Sequence, residues 1–259
     1  FIYYDFLILS PGIDLDYKTI AGYNQNFISG WKAGRETHLL SEQVKELGNN
    51  QKFLISVPLS PYRCPPGPYE RASLIASYIK TKMLKSKVII LDANQRIVSK
   101  GNLFKKAWTD LYSDIIEYHP SSNVIEVNAK EKIVYTDFDE YKYDFANIIP
   151  QQKAAKLLFS SNLIEPGRKW AKVNPYNLSS SVDSNIFIIG DSIDASSLGS
   201  VPKSGYIAYS MGKACGYVVH NTLVGKNPPS PSFINTCYSL VSDKEGISVS
   251  AVYKFDKEK

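Results

Sequence analysis

The sequence predicts an α/β fold, a doubly wound parallel-sheet domain lying between pieces of a second domain. Three observations predict it. A strand-like run at 52–58 (KFLISVP), a helix-period segment at 68–79 (PYERASLIASYI) and a β-branched run at 87–92 (KVIILD) follow one another closely. Strand, helix and strand in that order make the half-module of a doubly wound sheet. A second apolar strand at 185–191 (NIFIIGD) ends in Gly-Asp, and the run at 4–12 (YDFLILSPG) reads as a buried strand stopped by Pro-Gly. That first strand needs sheet neighbours from elsewhere in the chain. A length of 259 residues leaves room for between one and two domains.

Composition narrows the class. Hydrophobic residues make up 44% and charged ones 21%, ordinary globular values that exclude disorder, collagen and coiled coil. The longest apolar runs, 88–91 and 186–189, fall far short of the roughly 18 residues a membrane span needs, so no membrane span is expected. A net charge of +5 from scattered basic residues gives no ground for nucleic acid as a partner. Three cysteines are too few for a disulfide scaffold, and neither they nor the three histidines have zinc-ligand spacing. No metal site is expected. Residue 1 is Phe and no basic-then-apolar leader follows it, so the chain reads as a processed product or a fragment.

The remaining elements follow in order. Residues 31–47 (WKAGRETHLLSEQVKEL) place Leu39, Leu40, Val44 and Leu47 at helical spacing. The helix over 68–83 opens with Pro68, which suits a first helical turn. A further helix is expected over 102–117. NVIEVN, KIVYTD and YKYDFANIIP, across 123–150, read as a small antiparallel meander and a returning strand. A long helix rich in small residues is expected over 202–223, and the alternation GISVSAVY at 246–253 marks a strand.

The strand–helix–strand unit invites a test for a dinucleotide fingerprint, whose glycines let backbone N–H groups reach a pyrophosphate. The turn reads SPYRCPPGPYE at 60–70, with one glycine, Gly67, and four prolines. Proline has no N–H to donate, so three donors near the helix start are gone. Asp92 stands where an acid would meet a ribose hydroxyl, although strand ends carry acids for many reasons. The turn does carry Cys64 just before a helix N-terminus, which favours thiolate, with Glu70 close by as a carboxylate able to move protons.

A strand ending in Gly190-Asp191 puts a carboxylate at the carboxyl edge of a sheet, where doubly wound folds bind ligands. Gly190 permits close approach to the backbone. Lys203, Ser204, Gly205 and Tyr206 then open a helix whose N–H groups and dipole face an electron-rich ring. Gly12, at the end of the first strand, completes the constellation.

That combination resembles a two-dinucleotide-domain flavoprotein. Within that superfamily the chain is similar to the flavoprotein subunit of flavocytochrome c sulfide dehydrogenase. The resemblance rests on WKAG at 31–34, CPPGPYERA at 64–72, KSKVIILD at 85–92 and NIIPQ at 147–151. It continues through IGD at 189–191, PKSGY at 202–206, NTCYS at 235–239 and GISV at 246–249. The matches are ordered along the whole chain.

The resemblance implies a Rossmann-like NAD-type domain inserted in a partial FAD-binding domain, with a C-terminal α+β segment. The implied divisions are 1–40, the last strand and linker of the FAD-binding domain; 41–150, the central domain; 151–225, the second part of the FAD-binding domain; and 226–259, the start of a C-terminal flavin-binding and interface domain. It implies FAD as cofactor, held by Gly12, Gly190, Asp191 and Lys203–Tyr206. Cys64 and Cys237 match the two cysteines of a redox-active disulfide, and Glu70 matches a carboxylate beside it. Cys215 has no family role and is expected to be buried packing.

The implied activity is oxidation of hydrogen sulfide, with electrons passed to a haem-bearing cytochrome c subunit in the periplasm, a compartment where disulfides persist. A sulfide:quinone reductase relative, or a structural remnant without cofactor, are the alternatives. Two departures stand out. The Gly-rich turn that grips the ADP half of FAD would precede Phe1, and an aromatic-bearing tail would follow Lys259, so an internal stretch of a longer protein is expected.

Overall fold

The computed structural model describes residues 2–255. In chain order the elements are β1 (Leu7–Leu9), β2 (Ile13–Asp16), α1 (Arg35–Lys45), β3 (Lys52–Val57), α2 (Gly67–Thr81), β4 (Lys87–Asp92) and α3 (Gly101–Tyr112). There follow β5 (Ile116–His119), β6 (Val124–Asn128), β7 (Ile133–Thr136), β8 (Glu140–Lys142), β9 (Phe145–Asn147) and β10 (Gln151–Ala154). The last are α4 (Lys156–Ser160), β11 (Ile186–Ile188), α5 (Gly205–Leu223), β12 (Ser232–Leu240) and β13 (Gly246–Lys254).

The central unit is a four-stranded sheet in the order β5-β4-β3-β9, parallel throughout. Its two middle strands are apolar at nearly every position because both faces are covered. Phe53, Ile55, Val88 and Ile90 pack with α1, α2 and α3. Leu54, Ile89 and Leu91 point the other way, onto Val124, Val127 and Val134 of the antiparallel β6-β7-β8 sheet. The second face is therefore closed by a meander rather than by helices.

A separate core gathers the outer pieces. β1 pairs in parallel with β11, which supplies the neighbour that the first strand needed. Their residues pack with Ile207, Met211, Cys215 and Val218 of α5 and with Phe233 of β12. Cys215 is buried there, as expected of a packing residue. β2 and β10 form an antiparallel pair, and β12 and β13 form a nine-residue hairpin ladder.

The structure corrects one expected element. The helix starting near residue 102 stops at Tyr112, where Ile115 N–H bonds the Tyr112 carbonyl, and residues 116–119 form β5 instead. Pairing with β4 overrides the helical pattern there.

Candidate functional site

A cleft of about 1020 Å³ lies where the central unit meets the outer core. The β3–α2 turn, the 190–196 segment, the start of α5 and the β12-β13 hairpin form its walls. Cys64, Cys237, Asp191, Lys203, Ser204, Gly205 and Tyr206 all border it. The topology explains the convergence: β3 delivers the Cys64 turn and β11 delivers Asp191 at the carboxyl ends of their sheets, where such folds place ligands.

Cys64 is held with a left-handed backbone (φ 58°). Its N–H donates to the Lys203 carbonyl at 2.8 Å, and its own carbonyl accepts from Gly67 N–H at 2.9 Å. The first bond ties the turn to the α5 start. The thiol is exposed, yet the surrounding walls desolvate its sulfur and push its pKa up; Cys237 and Glu70 add to that, while the Gly67 N–H and Arg63 oppose it. Cys237 projects from the middle of β12, and both cysteines are free thiols in this structure.

Gly190 turns with φ +75°, and a Cβ there would lie 3.2 Å from Ser10 Oγ. It lies one residue before Asp191, which borders the cleft. Burial raises the Asp191 carboxyl pKa, offset by Lys203 and Arg63. Among the described residues Asp191 enters no ion pair. The Ser204 hydroxyl caps α5 by accepting from Ile207 N–H at 3.1 Å and donates to Asn235 Oδ1 at 2.7 Å. Capping leaves the next N–H groups of the helix aimed at the cleft.

Of the remaining expected site residues, Lys203 borders the cleft with its ammonium engaged elsewhere, Gly12 lies off it, and Glu70 stands near Cys64 in an adjoining hollow. The Lys203 ammonium turns inward, donating to the Asp191 and Ile193 carbonyls at 2.7 and 2.6 Å and lying 3.7 Å from the Trp170 ring centre. It shapes the Asp191 turn rather than offering a free cation, and burial lowers its pKa to about 8. Gly12 lies off the cleft, its carbonyl accepting from Ala155 N–H and the Ser192 hydroxyl. Glu70 borders a separate hollow between α1 and α2 that Cys64 also touches, and its Oε1 accepts Leu240 N–H at 2.8 Å.

Sequence reasoning missed Lys100, Trp170, Arg63 and Asn235, all of which border the cleft. NTCYS at 235–239 contains Asn235 and the 60–70 turn contains Arg63, whereas nothing in the sequence pointed to Lys100 or Trp170. Asp92, considered as a ribose ligand, is fully buried with its oxygens occupied by Tyr69, Tyr118 and Asn94.

A parallel-sheet domain set between two parts of a second core, with two cysteines and an aspartate bordering one cleft, is the fold of the FAD-dependent pyridine nucleotide-disulfide oxidoreductases. Solved structures share the fold: an NAD-dependent persulfide reductase from A. fulgidus (16% identity, TM-score 0.59, 93% of this chain and 43% of that one). Another is an FAD-dependent pyridine nucleotide-disulphide oxidoreductase from Desulfovibrio vulgaris (16%, TM-score 0.53, 95% and 60%). A chain of the Tetrahymena thermophila mitochondrial ATP synthase F1Fo assembly also shares it (16%, TM-score 0.74, 96% and 64%).

Residues 37–150 match the central region of the sulfide dehydrogenase [flavocytochrome c] flavoprotein chain, and residues 229–259 match the flavocytochrome c sulphide dehydrogenase flavin-binding region. The chain belongs to that family, a sulfide-related oxidoreductase family whose cofactor is FAD. It is also 22% identical over 205 residues to the mitochondrial sulfide:quinone oxidoreductase of Dictyostelium discoideum, matching 73% of this chain and 44% of that relative's length. The chain thus spans less than half of the curated relative.

The residues present fit the ring-and-ribityl half of a flavin. A carboxylate and a capped helix N-terminus meet at the cleft edge, one residue after a glycine whose positive φ disfavours a side chain.

Proposed function

We propose that this chain is part of an FAD-dependent sulfide dehydrogenase flavoprotein that oxidises hydrogen sulfide through Cys64 and Cys237 and passes the electrons to a cytochrome c subunit, in the periplasm. The observation that carries this reading is the convergence of Cys64, Cys237, Asp191 and the α5 N-terminus on one cleft from distant parts of the sequence.

Bound FAD supplies a two-electron acceptor that can release electrons singly. The chain's own residues do the sulfur chemistry. With Cys64 and Cys237 joined by loss of two electrons and two protons, hydrosulfide attacks one sulfur, a new S–S bond forms, the Cys64–Cys237 bond breaks, and the electron pair goes to the other sulfur as thiolate. Asp191 and the N–H groups at the start of α5 hold the ring and ribityl chain, and Lys203 fixes the turn that presents Asp191.

The test is to add FAD to the purified chain, record the bound-flavin spectrum, and titrate with sulfide without oxygen. Bleaching that is lost in Cys64→Ser and Cys237→Ser supports the proposal. Flavin that binds but stays oxidised under sulfide refutes it. Re-oxidation by cytochrome c rather than by a quinone separates the haem acceptor from the quinone acceptor, which the similarity to the Dictyostelium protein favours.

A further inference from the structure

Lys100 opens α3 in a left-handed conformation (φ 58°, ψ 30°) with no side-chain capping bond. That region favours glycine over any residue with a Cβ, so neither backbone preference nor capping accounts for a lysine. Its side chain instead crosses to β12, 137 residues on, where Nζ lies 3.6 Å from Cys237 Sγ and donates to the Cys237 carbonyl at 3.2 Å and to Ser239 Oγ at 2.7 Å. The three donors of one ammonium meet three atoms of a single strand, and one of those atoms is the sulfur facing the cleft.

We propose that Lys100 is the positioning cation of the thiol pair, holding the Cys237 sulfur in its anionic form, as thiolate or, when that sulfur carries an added sulfur, as perthiolate. Its catalytic consequence rests on the function proposed above; its effect on the thiol does not. The two cysteines stand in unlike fields. Among the described residues Lys100 is the cation that hydrogen-bonds either sulfur. Cys64 faces desolvation, Cys237 and Glu70, opposed by Arg63, the Gly67 N–H and the nearby Arg71 guanidinium, none of which hydrogen-bonds its sulfur through a side chain.

The other groups around Cys237 do not take Lys100's place. Glu70 of α2 spends Oε1 on Leu240 N–H. Arg63 and Asp191 line the same cleft but, among the described residues, neither hydrogen-bonds the Cys237 sulfur, and Val249, opposite Cys237 on β13, is uncharged.

The test is alkylation of the reduced chain by iodoacetamide across pH, each cysteine followed by peptide mass spectrometry. Wild type is compared with Lys100→Gly, Lys100→Met and Lys100→Arg. Glycine suits the left-handed backbone, so Lys100→Gly keeps the start of α3 while removing the ammonium. Buried Cys215, its thiol pushed up to about 11 by burial, reports any unfolding.

Both neutral variants should slow Cys237 alkylation about tenfold near neutral pH, while Lys100→Arg keeps most of the rate and Cys64 changes little. A mere tether gives the opposite sign, because releasing β12 exposes Cys237 and speeds its reaction. A Cys237 profile unchanged or accelerated in Lys100→Gly, with Cys215 still protected, overturns the proposal. Neither flavin nor sulfide enters this assay, so its failure leaves the sulfide reading standing, and failure of that reading leaves Lys100 testable.

Discussion

Removing the Asp92 carboxylate should be one of the most damaging single changes to the central unit. The residue ends β4 with 0% of its surface exposed. Oδ2 accepts from Tyr69 Oη at 2.7 Å and Tyr118 Oη at 2.9 Å; Oδ1 accepts from Asn94 N–H at 2.9 Å and Asn94 Nδ2 at 2.8 Å. In Asp92→Ala all four donors lose this acceptor. Two have recourse, since Asn94 Nδ2 keeps the Pro58 carbonyl at 3.0 Å and Tyr118 is only half-buried, within reach of water. Asn94 N–H is stranded and Tyr69 Oη is left with the long Tyr62 Oη contact at 3.5 Å, at about 1–3 kcal/mol each.

A loss of about 4 kcal/mol is expected, near the upper end for one substitution, and a fall in Tm of roughly 8–16 °C for a chain of this size. Urea unfolding measures the first and a thermal scan the second. Tyr118→Phe, which removes one donor, should cost only about 1 kcal/mol. Burial, partly offset by these same bonds, raises the Asp92 pKa. Its contribution is therefore present below the ordinary carboxylate range and is lost as pH rises through the folded-state value, a trend that Asp92→Asn should abolish. An Asp92→Ala chain within about 1 kcal/mol of wild type would refute the assignment of this network.

Lys203, 4% exposed and depressed to about 8, carries a charge penalty that is in full force below pH 8. The unfolded chain keeps this proton up to about 10.5, so stability should rise with pH across that window, by up to ~3 kcal/mol relative to Lys203→Met; a flat difference between the two unfolding curves rejects it. Gly190→Ala forces a methyl at φ +75° to within 3.2 Å of Ser10 Oγ and should cost about 1–2 kcal/mol, read by urea unfolding; a variant as stable as wild type contradicts the strain assigned to this turn. Glu70→Gln keeps an acceptor for Leu240 N–H but removes a charge that opposes the Cys64 thiolate, so Cys64 should alkylate a few-fold faster with Tm unchanged. An unaltered Cys64 rate removes Glu70 from the electrostatics of the site.

The elements legible in the sequence were those whose own residues settle the matter. β3 and β4 are apolar runs because helices cover one face and the meander the other. β5 was not legible, since IEYH follows helical residues without a break and takes strand form only by pairing with β4. β2 (IDLD) and β10 (QQKA) hold few apolar residues and owe their form to one another. At the site, Gly190, Asp191 and the α5 start announced themselves by a strand–turn–helix pattern, whereas the roles of Cys64 and Cys237 came from the family resemblance alone. Lys203 was recognisable as a site residue but not in its role, because the direction of its ammonium is set by two carbonyls and Trp170. Lys100 left no local trace, as its partners lie 137 residues away.

The β3–α2 turn and Asp92 together explain how a nucleotide-binding edge becomes a mount for a thiol. A pyrophosphate needs free N–H groups, and this turn spends its own. Ser60 N–H goes to Asn94 Oδ1, Arg63 N–H to Gln152 Oε1, Cys64 N–H to the Lys203 carbonyl and Gly67 N–H to the Cys64 carbonyl. Pro65, Pro66 and Pro68 have none to give. A ribose needs a free carboxylate, and Asp92 has given its oxygens to Tyr69, Tyr118 and Asn94. These bonds are not idle. Tyr62 Oη contacts Tyr69 Oη at 3.5 Å and donates to the Pro65 carbonyl at 2.9 Å, so the network that fills the ribose position also steadies the residue after Cys64. Freeing these N–H groups would thus require breaking the contacts that hold the Cys64 turn against the α5 start and Gln152.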